Sequence, residues 1–83
     1  MTYIVLETQT TSGTTAIVPP AAYTDRNAAE AAFHSILAAA AVSAVEEHAA
    51  MLFTSDGRML RNECYKHAAQ EPEPETEVEE ENN

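Results

Sequence analysis

Cysteine occurs once, as Cys64, so no disulfide can form within the chain. The usual staple of small secreted folds is missing, and a reducing compartment is the expectation. Lysine and arginine together number only four. So few cations cannot build a basic patch to neutralise phosphates, which argues against direct nucleic-acid binding. An anionic membrane surface would be repelled for the same reason. Glycine occurs only at Gly13 and Gly57, too far apart for a phosphate-cradling loop. There is also no long apolar run. The opening stretch Met1-Thr2-Tyr3-Ile4-Val5-Leu6 stops at Glu7 and has no positive region before it, so it reads as neither a signal peptide nor a membrane span. The cytosol is the default location.

What the chain has in excess is acid, unevenly placed. Of the net charge of −10, residues 1–70 carry −3, from seven acids against four bases. Residues 71–83 carry seven glutamates and no base, giving −7. From Ala69 onward the sequence alternates Glu and Pro with a single aliphatic residue, Val78. Such a segment cannot bury enough apolar surface to offset its ordering entropy, and its charges repel. Two units are therefore expected: a small folded domain over residues 1–68 and a disordered acidic Glu/Pro tail over residues 69–83. The 83 residues permit one domain with a modest core.

Within that domain, residues 2–10 are rich in β-branched and aromatic types and read as a strand. Thr11-Ser12-Gly13-Thr14 reads as a turn, and residues 14–23 complete a hairpin. Pro19-Pro20 cannot donate ladder hydrogen bonds, which sends this strand to a sheet edge. Residues 26–43 lack Gly and Pro, are rich in alanine and follow a capping residue at Thr24 or Asp25, which predicts a helix. Its buried stripe is Ala29, Ala32, Phe33, Ile36, Leu37 and Ala40. Residues 47–54 and 58–67 flank Asp56-Gly57, a strong hairpin signal. The predicted fold class is α+β: a two-layer ββαββ arrangement of two antiparallel hairpins packed on one alanine-rich helix.

A two-residue turn at Asp56-Gly57 sets a register that pairs Phe53 with Leu60, Met51 with Asn62, Ala49 with Cys64 and Glu47 with Lys66. The face carrying Phe53, Leu60, Met51, Ala49 and Cys64 is the predicted core surface beneath the helix. The opposite face, bearing Tyr3, Val5, His48, Leu52, Met59 and Tyr65, is predicted to stay uncovered and to be the interaction face.

The residues able to do chemistry do not assemble. Cys64 and His67 have a spacing found in some zinc sites, but the register turns them to opposite faces, and four converging ligands are needed. A small buried thiol is the better account of Cys64. Glu30 and His34 can meet along the helix, a spacing common on solvated helix faces. No catalytic, cofactor-binding or metal-binding residue is assigned, no cofactor is expected, and no small-molecule ligand is indicated. An enzyme is not expected.

The stretch from Tyr3-Ile4-Val5-Leu6, through the helix entry Tyr23-Thr24-Asp25-Arg26-Asn27 and the alanine-rich helix, to Asn62-Glu63-Cys64-Tyr65-Lys66-His67 resembles short uncharacterised proteins encoded by phages and prophages of Gram-positive gut bacteria. The resemblance covers residues 1–68. It implies a phage or mobile-element accessory protein, in the host cytoplasm or associated with the virion, and carries over no site residue. Two functions follow as expectations. One is a protein-interaction module whose partner is a second copy of itself or another protein. The alternative is an acidic inhibitor that mimics nucleic acid towards a host nucleic-acid-binding protein.

Overall fold

A computed structural model describes residues 1–67. The expected boundary at residue 68 and the acidic stretch 69–83 lie outside the described residues. Four antiparallel strands form one sheet: β1 (Tyr3–Thr11), β2 (Thr14–Tyr23), β3 (Glu47–Thr54) and β4 (Met59–Lys66). A single helix, α1 (Arg26–Ala41), connects β2 to β3. The strand order is β2-β1-β3-β4, so the two hairpins join through β1 and β3. The α+β class and the ββαββ order agree with expectation.

The first hairpin turns on Ser12 and Gly13, whose φ values of 53° and 81° are both left-handed. Two positive φ angles are what a tight two-residue hairpin loop needs to match the strand twist. The serine is held there in part by its backbone N–H, which donates to Glu46 Oε1 at 3.1 Å. β2 lies at the sheet edge, as its two prolines require. Opposite them the register slips: Val5 faces Ala21 but Glu7 faces Val18, so Pro19 and Pro20 together oppose Leu6. This is a β-bulge, where missing N–H donors cost no ladder bond.

Asp25 caps α1 by accepting from the Ala28 N–H at 3.0 Å. The helix ends two residues earlier than expected, without a glycine. Val42 and Ser43 donate to the carbonyls of Ala39 and Ala40 at 3.3 and 3.2 Å, tightening the last turn. The predicted stripe points inward: Ala29, Phe33 and Ala40 are buried, while Ala32, Ile36 and Leu37 pack partly against the core.

The second hairpin departs from expectation at its tip. Thr54 N–H donates to the Arg58 carbonyl and Gly57 N–H to the Thr54 carbonyl, both at 2.9 Å, so the loop has three residues, Ser55 to Gly57. Gly57, at φ 95°, takes the left-handed position that such a loop demands. Thr54 also bonds Asp56 through its hydroxyl, which rewards the longer loop. Phe53 therefore faces Met59 rather than Leu60. An irregularity between Leu52 and Phe53 restores the expected register, which runs from Leu52–Arg61 to Glu47–Lys66.

The helix lies on the face opposite to the predicted one. Its core partners are Val5, Ala50 and Leu52, all at most 4% exposed, with Ala29 and Phe33. Leu60 alone of the predicted core face packs partly against this cluster. β2 and β3 both run antiparallel to β1 and hence parallel to each other. The β2-α1-β3 link is therefore a crossover, and crossover handedness, not apolarity alone, decides which sheet face the helix takes. The small Ala50 side chain also lets the alanine-rich helix come close.

Candidate interaction surfaces

The reversal redistributes the residues predicted to form the interaction face. Val5, His48 and Leu52 are buried beneath α1, and Tyr3 is half-buried and packs against the core. Met59 and Tyr65 remain exposed, at 47% and 37%. Both lie on β4, whose outer edge faces away from the sheet. The predicted face does not exist as one surface: the helix divides it.

The uncovered face is instead the one predicted as core. By strand alternation it carries Ile4 and Leu6 from β1, Ile17 from β2, and Ala49, Met51 and Phe53 from β3. Ile4 and Leu6 lie across from Phe53 and Met51, while Ile17 lies across from Thr8. The four central side chains are half-buried by one another, and Ile17 stands 65% exposed. Asn62 and Cys64 extend this face onto β4. Cys64 is thus an exposed thiol, not the buried one expected. No described helix covers this side.

On the helix side, a cleft of 470 Å³ separates α1 from β4, walled by Phe33, His34 and Leu37 on one side and Met59, Leu60 and Tyr65 on the other. Its rim is charged. Glu30 accepts from Arg61 Nε at 2.6 Å and from Arg26 Nε at 3.2 Å, and His34 Nε2 stands 3.5 Å from it. The expected Glu30–His34 approach therefore occurs, but the carboxylate is engaged mainly by arginine. The hydrogen bond from Arg61, followed by that from Arg26, holds the Glu30 carboxyl below its ordinary pKa despite some desolvation. This ion-pair cluster fastens the helix to β4.

One polar group beneath the helix was not foreseen. His48 Nε2 lies 2.5 Å from Glu7 Oε2, and Gln9 Nε2 donates to the same oxygen at 3.1 Å. His48 is only 4% exposed, and its buried Nδ1 has no hydrogen-bond partner among the described residues. Glu7 and His48 are 41 positions apart. Only the β1–β3 pairing, in which Gln9 faces His48, brings them together. A Glu–His pair can orient an imidazole, but a nucleophile must also be in reach. The lone thiol, Cys64, is on the other face of the sheet. His67 points elsewhere, its Nε2 lying 2.9 Å from the Ala40 carbonyl.

Among the described residues no group of three or more His, Cys, Asp or Glu side chains is placed to hold a metal ion, and no helix is long and apolar enough to cross a membrane. Comparison with protein-family models, curated proteins and solved structures returns no match.

Proposed function

We propose that this chain is a non-catalytic accessory module that binds another protein through the open face of its sheet. The observation that supports the reading is the continuous apolar set Ile4, Leu6, Met51 and Phe53, with Ile17 beside it, on a side of the sheet that no described helix covers. Sheets of this kind ordinarily present polar side chains to water on their uncovered side. An apolar strip there loses free energy in isolation and regains it when a partner excludes water. The phage-type accessory role implied by the sequence resemblance is compatible with a module that acts by contact.

The test is affinity capture by the full chain from the cells that encode it, compared with Met51→Glu and Leu6→Glu variants shown by circular dichroism to be folded. Loss of the captured protein in both variants is the expected result. Identical capture by folded wild type and variants would refute the proposal. If deleting residues 71–83 abolishes capture while the face variants retain it, the acidic-mimic function replaces this one.

A further inference from the structure

We infer that β4 is a docking edge for a second copy of this chain, pairing β4 with β4 antiparallel about a two-fold axis through Asn62. The two edges of the sheet are unequal. β2 presents Pro19 and Pro20, which lack N–H donors, so it cannot offer a continuous ladder. β4 runs eight residues without proline, and its one irregularity, at Leu60, leaves Arg61–Lys66 in regular register with β3. His67 N–H donates inward to the Glu46 carbonyl. Antiparallel ladders alternate, so Tyr65, Glu63 and Arg61 also turn their backbone groups towards β3, while Lys66, Cys64 and Asn62 turn theirs outward. Among the described residues those outward N–H and C=O groups have no strand partner.

Side-chain chemistry selects the register. Two-fold pairing must bring outward residues opposite outward residues, which allows centres at Arg61, Asn62, Glu63 or Cys64. A centre at Arg61 or Glu63 sets a charge against its own copy on the axis, which is unfavourable. A centre at Cys64 leaves Glu63 opposite tyrosine and brings no opposite charges together. The centre at Asn62 sets Arg61 opposite the second copy's Glu63, and the reverse pair by symmetry. Charges on an edge strand commonly keep strands apart. Here opposite signs flank Asn62 symmetrically, which makes the edge complementary to itself. Arg61 uses Nε on Glu30, and a guanidinium has further N–H groups free for a second carboxylate.

The inference does not depend on the open-face function, and one experiment separates them. Sedimentation velocity across a concentration series should show the full chain dimerising. Glu63→Arg and Arg61→Glu, each alone, oppose like charges at both symmetric positions and should weaken the dimer by about ten-fold or more. An equimolar mixture of the two variants restores both ion pairs and should form a heterodimer. This rescue also answers the objection that either variant has merely misfolded. A wild-type chain that stays monomeric throughout, or variants that fail to rescue each other, would overturn the inference. So would dimerisation that survives both charge variants but is lost in Met51→Glu, an outcome that would place the contact between copies on the open face instead.

Discussion

Replacing Leu52 with alanine, beside a control replacement of its neighbour Met51, measures directly which side of the sheet the helix covers. Leu52 is 0% exposed and belongs to the cluster of Val5, Ala29, Phe33 and Ala50. Truncating a leucine in such a site removes its transfer free energy and leaves a cavity, at a cost of about 2–5 kcal/mol. At 0.05–0.15 kcal/mol per residue, a domain of this size has about 3–10 kcal/mol in total. The loss is thus a large fraction of the whole. In a small domain each kcal/mol shifts Tm by about 4–8 °C, so the midpoint should fall by at least about 8 °C. Met51 sits one residue earlier on the opposite face, half-buried only by neighbouring side chains. Truncating it should cost about 0.8–1.5 kcal/mol at most, since roughly half of the 1.5–3 kcal/mol available from full burial is realised there. The assay is thermal and urea unfolding followed by circular dichroism. A Met51→Ala variant as unstable as Leu52→Ala, or more so, would refute the assignment of faces.

Two further substitutions probe the polar groups. Glu7→Ala removes the partner of His48 Nε2 on a ring whose Nδ1 already has no partner among the described residues. Leaving a second buried polar atom unmade should cost about 1–3 kcal/mol, whereas the double replacement Glu7→Leu/His48→Phe should cost less than the sum of the single changes in a urea-unfolding cycle. Glu30→Gln tests the cluster with Arg61 and Arg26. Because these arginines lower the Glu30 pKa below its ordinary 4.5, its contribution is complete above that value and is lost as pH falls through the lowered one. The wild type should therefore be more stable than Glu30→Gln at neutral pH, and the gap between their urea midpoints should narrow in acid; a constant gap would contradict this.

Elements, caps and most of the pairing were legible in the amino-acid order because each rests on local chemistry. Asp25 caps, Ser12-Gly13 turns, Pro19-Pro20 marks an edge, and the alanine-rich run from Arg26 forms a helix of the expected inward stripe. The faces were not legible for a different reason. Alternation divides β3 into His48, Ala50, Leu52 and Thr54 against Ala49, Met51 and Phe53, and the second set is the more apolar. Choosing between them needs the strand order, because the direction of the β2-α1-β3 crossover follows from it. The misassignment carried Val5, Leu52, His48 and Cys64 with it, and with them the candidate interaction face. The Glu7–His48 contact was hidden by the same missing fact, the adjacency of β1 and β3. The tip of the second hairpin erred only locally: its loop gains a residue, Leu60 adds one to the facing strand, and the two slips cancel before Arg61.

The paired prolines of β2 have a consequence for stoichiometry. A sheet with two growable margins can add copies at both and lengthen without limit, which is the geometry of a fibril. This sheet has one growable margin. If two copies join there, both outer borders of the resulting eight-stranded layer are β2, and each carries the proline pair and its bulge. Growth then terminates at two. Pro19 and Pro20 would act as end-stops for assembly, in a protein whose other margin invites it.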